Sequence, residues 1–305
     1  MVDGAPRAGT ACTLSHWPGT PTPEELWHDV SAGIVLHALA RPGSLPEGVE
    51  VASVDHYDAD GVISLALLCV EGLAADHGAL LVEAARVGDF DVVADRRAAL
   101  VAFGLGALGD VGEALATLPG LVQDPERYRA LWKEEADAFD ASVRALSEGW
   151  ASIEERPNHD LAVVRVDTSH PDASRAAWDT APLHRAAVHS ATERLRVATM
   201  AQDSEAQGAV ELRYRYESWV RMVSRRPRPR VDLGPIATEL TRSETGGGRW
   251  VFDGAGAITG ALHLAPGTTS SLDPEEVLDA VCRELESLDA GPPAWDPYAP
   301  SGVRA

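Results

Sequence analysis

Residues that could bind a metal ion alternate within one short stretch, VDHYDADGVIS, residues 54–64. His56, Asp58 and Asp60 are every second residue, so an extended turn could direct their side chains to one cation. An imidazole and two carboxylates suit Mn²⁺, Mg²⁺ or Zn²⁺. An alternative explains the same residues without a ligand: Asp58 and Asp60 cap the helix predicted to follow, and His56 packs.

Basic residues gather in a second stretch, RYRYESWVRMVSRRPRPR, residues 213–230, which holds seven arginines and one acidic residue. If the stretch begins as a strand, Arg213 and Arg215 lie on one face and Tyr216 on the other. Guanidinium groups bind phosphate, sulfate or carboxylate through paired hydrogen bonds. We therefore predict an anion-binding site that includes Arg213, Arg215, Tyr216 and Arg221. Salt bridges to the acidic surface of the other lobe are the alternative.

Hydroxyl and imidazole groups add weaker candidates for the substrate or anion site. Ser270 and Ser271 precede a helix predicted to begin at Asp273, where backbone amides attract anions. His189 and His263 could transfer protons, because imidazole titrates near neutrality. Helix capping explains the serines equally well, and packing explains most histidines.

These candidates need a framework that places loops at the edge of a sheet. The segments VEVASVD, residues 49–55, and LAVVRVD, residues 161–167, predict buried strands, and a helix follows the first. Strand–loop–helix units predict an α/β lobe with a parallel sheet and flanking helices, whose carboxyl edge binds ligands. The pattern past residue 180 predicts a smaller α+β lobe. We therefore predict two lobes, residues 1–180 with the acidic loop and residues 181–305 with the arginines.

Two other segments complete the outline. Residues 1–21 are rich in glycine, proline and threonine, which predicts a loosely packed arm. Between residues 125 and 155, apolar residues at three- and four-residue spacing predict a long helix. Neither segment carries a predicted functional residue.

The composition limits the partners and the location. The chain has 305 residues, 47 acidic and 26 basic, and a formal net charge of −21. Such a surface repels phosphates, so we predict no nucleic-acid partner. The N-terminus lacks a basic start followed by an apolar run, and the apolar stretches are too short to cross a bilayer, so we predict no secretion and no membrane partner. The three cysteines show no paired spacing, which favours the cytoplasm.

The acidic stretch resembles the first motif of the DHH phosphoesterase superfamily, in which an apolar strand leads into D-x-D-G, two residues and a serine. The sequence DADGVIS, residues 58–64, follows that pattern. The resemblance implies a DHH-like fold and two divalent cations, commonly manganese, that activate water against a phosphate ester. The Asp-His-His triplet that names the superfamily is absent, and VDTSH, residues 166–170, is the nearest substitute. The metal ligands that the resemblance implies are His56, Asp58, Asp60, Asp89 and Asp167.

The whole chain, above all DHYDADGVIS, AVHSATERLRV and RYRYESWVRMVSRRPRPRVDL, is similar to a DHH-like bacterial family. In overall character it also resembles the large subunit of aziridine-forming enzymes of antibiotic pathways. That second resemblance implies that an amine displaces a neighbouring sulfate ester within the substrate. It further implies that no cofactor takes part and that a small protein subunit is the partner.

Three hypotheses for the function follow. We favour an enzyme acting on a small-molecule substrate, free or bound to a carrier protein, with an oxyanion leaving group; sulfate displacement in natural-product biosynthesis is its most specific form. There His56, Asp58 or Asp60 accepts a proton from the amine, and arginines hold the departing sulfate. The first alternative is a phosphoesterase with Mn or Mg as its cofactor. The second is a non-catalytic ligand-binding protein.

Overall fold

The computed structural model describes residues 1–167, 170, 183–201 and 210–299. Contacts divide the chain into two compact units: unit 1 contains Met1–Asp137 with Val220–Arg226, and unit 2 contains Ala138–Trp219 with Pro227–Ala305. Helices and a six-stranded sheet among the described residues confirm the α/β class. No helix in these ranges is both long and apolar enough to cross a membrane. Because the units interleave along the chain, the domain boundary at residue 180 stays a prediction.

Unit 1 is built from helices. They are α1 (Ser31–Ala40), α2 (Ala59–Cys69), α3 (Leu73–Phe90), α4 (Arg96–Gly106), α5 (Val111–Gln123) and the first half of α6 (Arg129–Glu148). Asp58, Asp95 and Asp110 cap α2, α4 and α5, each accepting amide hydrogens of the first turn. The helix predicted between residues 125 and 155 corresponds to α6, which ends before Gly149, a residue with a left-handed φ of 84°.

The parallel sheet predicted for the N-terminal lobe is only partly matched. All strands assigned within the described residues belong to unit 2, and residues 49–55 lie outside the sheet. Val49 and Val51 are 50% and 78% exposed, so the apolar residues that predicted a buried strand face solvent. A backbone hydrogen bond from the amide of Val2 to the carbonyl of Ser53 joins this segment to the N-terminus.

Residues 1–21 form part of the core of unit 1, and the predicted loose arm is wrong. Val2 and Leu14 are each 2% exposed and form a parallel bridge, in which the amide of Asp3 donates to the carbonyl of Leu14. The composition of the segment, rich in glycine and proline, predicted an arm. Hydrogen bonds to distant residues cannot be recognised from local composition, so the sequence did not indicate the buried position of this segment. The segment carries Asp3 and His16 into the interior, where they are 1% and 0% exposed.

Two glycines allow close packing around the acidic loop. Gly88, near the end of α3, lies against Ala59 at the start of α2, and a Cβ on Gly88 would be 2.5 Å from the Ala59 Cβ. Gly61 lies against Val54, and a Cβ on Gly61 would be 2.7 Å from the Val54 Cγ2. Because Asp89 follows Gly88, this packing brings Asp89 to the acidic loop.

Unit 2 contains the sheet. Its strands are β1 (Ala151–Arg156), β2 (Leu161–Val166), β3 (Arg196–Ala201), β4 (Val210–Tyr214), β5 (Trp250–Phe252) and β6 (Ala261–Leu264), in the order β1-β2-β3-β4-β6-β5. The pair β2 and β3 is parallel, and the other named pairs are antiparallel. Helix α7 (Arg185–Ala191) precedes β3, and α8 (Gly234–Ser243) and α9 (Pro274–Leu288) follow β4 and β6. The parallel element of the predicted fold therefore lies in this unit.

Apolar residues cover both faces of β2. Leu161 and Val163 belong to a core that includes residues of α8 and α9. Val164 and Val166 belong to a second core with residues of α6 and α7. A strand buried on both faces reads as a continuous apolar run, which explains why LAVVRV was recognised from the sequence.

Arg230 is fully buried in unit 2 and bonds to neutral acceptors. Its guanidinium group donates to the carbonyl oxygens of Arg215, Ala255, Ala257 and Ile258 and to the hydroxyl of Ser218. Burial lowers the pKa of Arg230 to about 10, so the group stays charged at neutral pH. This member of the arginine-rich stretch therefore holds two loops of unit 2 together.

Arg230→Lys should destabilise the protein. One ammonium nitrogen cannot reach the acceptors that the planar guanidinium group joins, and each buried carbonyl left unpaired costs about 1–3 kcal/mol. We expect the free energy of unfolding in urea, followed by circular dichroism, to fall by about 2–4 kcal/mol. Arg242→Lys, at a side chain 73% exposed, is the control and should change it by less than about 0.5 kcal/mol. Equal urea midpoints for both variants would contradict the structural role of Arg230.

Candidate functional site

The two carboxylate oxygens of Asp58 contact different groups, one in the first turn of α2 and one on His56. The backbone of Asp58 is extended, with φ −156°, and its Oδ1 accepts the amide hydrogen of Gly61 at 2.7 Å. Its Oδ2 lies 2.7 Å from Nε2 of His56. Burial raises the pKa of Asp58, but the hydrogen bonds from His56 and Gly61 bring it below its ordinary value. Asp58 thus stays ionised and keeps one oxygen for the site.

Asp60 belongs to α2, and its fully buried side chain contacts the N-terminus of α1. Its Oδ2 accepts the amide hydrogen of Ser31 at 2.6 Å, and its Oδ1 accepts that of Ala32 at 2.7 Å. Burial and the neighbouring charge of Asp58 raise the pKa of Asp60 to about 7. The amides of a helix start favour a negative charge, so α1 orients this carboxylate and partly offsets its burial.

Asp3 is a buried carboxylate with one oxygen left over. Its φ of 41° lies in the left-handed region that non-glycine residues rarely adopt. The hydroxyl of Ser31 donates to its Oδ1 at 2.8 Å, whereas its Oδ2 accepts no hydrogen bond from the described residues. Burial and the charges of Asp58 and Asp60 raise the pKa of Asp3 well above its ordinary value. Such a group needs a proton or a cation beside it.

His16 directs one ring nitrogen at this cluster. Its Nδ1 lies 2.6 Å from the carbonyl oxygen of Asp29 and must donate to it. Nε2 then faces carboxylate oxygens of Asp89 at 3.4 Å, Asp3 at 3.5 Å and Asp60 at 3.9 Å. Burial lowers the pKa of His16 to about 4, so Nε2 carries a lone pair at neutral pH. A neutral imidazole in this position can bind a metal.

Asp89, near the end of α3, brings a further carboxylate to His16. Its Oδ2 is buried and accepts no hydrogen bond from the described residues. Burial, followed by the charges of Asp60 and Asp58, raises the pKa of Asp89 well above its ordinary value. Asp3 and Asp89 therefore share one property: a buried oxygen that accepts no hydrogen bond from the described residues.

His56 lies on the accessible side of the cluster, with its side chain 35% exposed. Its Nδ1 donates to Oδ1 of Asp55 at 2.8 Å, and its Nε2 donates to Oδ2 of Asp58 at 2.7 Å. The hydrogen bond to Asp58 is the main cause that raises the pKa of His56 to about 9. The Nε2 proton lies between Asp58 and Asp3, whose Oδ2 is 3.5 Å away. A cation could take the place of this proton.

The ligand atoms form two overlapping sets. The open set comprises Asp3, His56 and Asp58, and the buried set comprises Asp3, His16 and Asp60; within each set the ligand atoms lie within 4.8 Å of one another. Carboxylate oxygens and imidazole nitrogens suit Mn²⁺ and Mg²⁺. Two unpaired buried oxygens and a shared aspartate fit two neighbouring divalent cations.

The structure brings together four of the predicted ligands and adds two that the sequence did not indicate. His56, Asp58, Asp60 and Asp89 lie in the cluster described above. Asp3 and His16 were missed because the segment 1–21 was expected to be a loose arm. A weak signal was present for Asp3, because MVD, like VASVD, ends apolar residues with an aspartate; TLSH has only one apolar residue and gave no such signal for His16.

Most of the predicted anion-site residues belong to unit 2 and have acidic partners there. Arg213 pairs with Glu211 at 2.8 Å, and the buried Arg215 pairs with Glu217 at 2.5 Å. Tyr216 stacks on the ring of Trp219 at 5.8 Å. Arg221 belongs to unit 1, where its guanidinium group lies 4.5 Å from the ring of Trp27 and 3.7 Å from a carboxylate oxygen of Glu24. The anion-binding role of these residues stays a prediction.

The remaining candidates also lie in unit 2. Ser270 and Ser271 both donate to the carboxylate of Glu244, so a carboxylate of the protein occupies the hydroxyl cluster. His263 lies 3.2 Å from Asp253. His189 lies in α7, where its carbonyl accepts from Arg215, and Asp167 follows β2 and donates its amide hydrogen to Trp150. Within VDTSH, residues 168 and 169 lie outside the described residues.

Comparison with known proteins gives a family but no activity. A profile described as a family of unknown function matches residues 1–110 and 107–298. No curated protein matches the chain. Among solved structures, the chain is similar to an exopolyphosphatase-related protein from Bacteroides fragilis, with 11% identity and a TM-score of 0.32; the match covers 93% of this chain and 62% of that one. At this TM-score the likeness carries no argument about activity.

Asp89→Asn should stabilise the metal-free protein and weaken cation binding. The substitution removes one charge from a buried cluster of carboxylates, which repel one another when no cation is present. In EDTA at pH 8 we expect the thermal midpoint to rise by about 3 °C or more, and the further rise caused by Mn²⁺ to fall below about half of the wild-type value. Asp76→Asn, at an exposed position on the same helix, should alter neither quantity. An undiminished effect of Mn²⁺ in Asp89→Asn would remove Asp89 from the site.

The stability of the metal-free protein should fall as the pH rises from about 7 to 9. The raised pKa of His56, about 9, means that between these pH values the folded chain holds a proton that the unfolded chain has released. The raised pKa of Asp60, about 7, acts in the same direction, but mainly between about pH 4 and 7. The depressed pKa of His16, about 4, acts in the opposite direction only below about pH 6.5.

Urea unfolding at pH 7, 8 and 9, with EDTA or with saturating Mg²⁺, measures this dependence. Bound Mg²⁺ replaces the protons, so it should flatten the decline. A free energy of unfolding that is level in EDTA over this range would contradict the protonation of His56 beside Asp58.

Proposed function

We propose that this chain, which belongs to the family of unknown function DUF6687, hydrolyses phosphate esters with the help of divalent cations. One observation carries the proposal: two sets of aspartate and histidine ligands share Asp3, and buried oxygens of Asp3 and Asp89 accept no hydrogen bond from the described residues. Divalent cations supply Lewis acidity that neutralises the charge developing on a phosphoryl group.

The chain's own residues would hold the cations in fixed positions. The carbonyl of Asp29 and the carboxylate of Asp55 each accept the Nδ1 hydrogen of a histidine, which turns Nε2 of His16 and of His56 toward Asp3. Such partners fix the orientation of a ligating imidazole and strengthen it as a ligand. The rigid sides of the site are the first turns of α1 and α2.

The two sets differ in their access to solvent, and this difference supports a division of roles. Asp60 and His16 are fully buried, whereas the side chains of Asp58 and His56 are 33% and 35% exposed. A substrate can therefore approach the open set while the buried set stays covered. We assign phosphate binding to the open side.

Arginines of unit 1 would bind the anionic part of the substrate. The segment Val220–Arg226 belongs to the same unit as the cluster and carries Arg221, Arg225 and Arg226. Guanidinium groups bind phosphate through paired, charge-assisted hydrogen bonds. Arg221 also has an acidic partner, the exposed Glu24 at 3.7 Å, so what distinguishes these arginines from Arg213 and Arg215 is the unit to which they belong.

Sulfate displacement to form an aziridine ring is the less supported candidate. It needs arginine donors for the leaving sulfate just as phosphate binding does, so the arginines do not distinguish the two candidates. It needs no cation, so it gives no reason for several carboxylates to converge in the interior. The matched family has no assigned activity and adds nothing to this hypothesis.

A metal-content and phosphodiester assay tests the proposal. Protein purified without chelator should contain Mn²⁺ or Mg²⁺, and bis(p-nitrophenyl) phosphate should be hydrolysed on addition of Mn²⁺. Asp58→Asn removes a ligand charge but keeps an N-cap, and Asp60→Asn removes a second; each should lower kcat by about 100-fold or more. Asp110→Asn is the matched control, because Asp110 caps α5 through Glu113 as Asp58 caps α2 through Gly61.

The outcomes separate the hypotheses. If Asp58→Asn and Asp60→Asn act no differently from Asp110→Asn, the acidic loop is a pair of helix caps. Metal binding without hydrolysis of any phosphate ester would favour the non-catalytic ligand-binding protein. Turnover of an amino sulfate ester in EDTA would favour the aziridine-forming reaction.

A further inference from the structure

The three residues Asp29, Val30 and Ser31 connect the cluster to its surroundings. The carbonyl of Asp29 accepts the Nδ1 hydrogen of His16 at 2.6 Å. The amide of Ser31 donates to Asp60, and its hydroxyl donates to Asp3 at 2.8 Å. One turn of chain therefore contacts three members of the buried ligand set.

The side chain of Asp29 has a partner far away in the sequence. Its Oδ1 accepts the amide hydrogens of Val223 at 2.6 Å and of Ser224 at 2.9 Å, and Asp29 is 5% exposed. It does not cap the adjacent helix, since Val30 is the N-cap of α1 and Asp60 accepts the first amides of that helix. A carboxylate two residues before a helix is thus used to hold a separate segment.

The geometry points to Asp29 as a positioning residue that fixes the arginine-bearing segment Val220–Arg226 next to the ligand cluster, so that its guanidinium groups meet a phosphate held there. This inference rests on the proposed function. The carbonyl of Asp29 accepts a hydrogen bond from His16, and the side chain of Asp29 accepts hydrogen bonds from the segment Val220–Arg226. A change of the side chain should therefore affect phosphate binding and leave the cations in place.

Two probes separate these effects: Mn²⁺ alone, and inorganic phosphate added to the Mn²⁺-loaded protein, both followed by calorimetry. Asp29→Ala should bind Mn²⁺ within about twofold of wild type and bind phosphate about tenfold more weakly. Asp29→Asn keeps an oxygen that accepts the same amides, so it should restore phosphate affinity to within about threefold. In the phosphodiester assay, Asp29→Ala should raise KM and leave kcat nearly unchanged.

Two further variants test the route of the effect. Ser224→Pro removes one of the two amide donors without touching Asp29, so it should weaken phosphate binding in the same way even if Asp29→Ala fails to fold. In the Arg225→Gln/Arg226→Gln background, Asp29→Ala should have little further effect, because the groups it positions are gone.

Asp95→Ala is the matched control, since one oxygen of Asp95 also accepts two backbone amides, those of Arg97 and Ala98. It should lower the thermal midpoint and leave phosphate affinity unchanged. The inference alone is overturned if Asp29→Ala and Ser224→Pro both bind phosphate as tightly as wild type, or if Asp29→Ala weakens the binding of Mn²⁺ and of phosphate equally. It is also overturned if Asp29→Ala weakens phosphate binding by the full amount in the Arg225→Gln/Arg226→Gln background. If wild-type protein binds neither Mn²⁺ nor phosphate, the proposed function fails and the inference fails with it.

Discussion

The burial of several carboxylates in one small space is the constraint on which unit 1 depends. Asp3, Asp60 and Asp89 are almost completely buried, and ligand oxygens of Asp3 lie within 4.8 Å of those of Asp58 and Asp60. Two unit charges about 4 Å apart repel by about 4 kcal/mol at an effective dielectric constant near 20. Protons or cations must balance the charge of such a cluster. The raised pKa values of Asp3, Asp60 and Asp89 mean that, without a cation, these carboxylates hold their protons to a higher pH than exposed carboxylates do.

The elements around the cluster reduce this repulsion in different ways. The N-terminus of α1 gives two amides to Asp60, and Ser31 gives a hydroxyl to Asp3. On the open side, His56 donates its Nε2 hydrogen to Asp58, whereas the neutral His16 on the buried side offers no hydrogen to the carboxylates that it faces. The close contact at Gly88 places the last carboxylate, Asp89, within reach of His16. The protonated His56 balances the charge of Asp58, whereas the buried oxygens of Asp3 and Asp89 accept no hydrogen bond from the described residues.

The acidic loop could be recognised from the sequence because its residues are local: His56, Asp58 and Asp60 alternate across the start of α2. Their role as ligands stays a prediction. Asp3 and His16 could not be recognised in the same way, since their burial depends on hydrogen bonds between the N-terminus and distant segments, such as that from Val2 to Ser53. The strand prediction at residues 49–55 failed in part because β-branched residues there face solvent. Glu211 is two residues from Arg213 in β4 and shares its face of the strand, so the sequence could indicate that pair. Glu217 lies in a short 3-10 helix after Arg215, so an extended chain does not predict the second pair.

Helix capping and metal binding first appeared as competing explanations for Asp58 and Asp60, and the structure shows why they are compatible. A carboxylate has about four lone-pair positions. Asp58 uses Oδ1 for the amide of Gly61 and presents Oδ2 to His56; Asp60 accepts two amides and still has Oδ2 3.9 Å from Nε2 of His16. The cap fixes the direction of the remaining lone pairs, because a side chain tied to a helix start cannot rotate. Under the proposed function, capping would orient these carboxylates as ligands, and the observation of a cap at such a loop does not argue against a metal site.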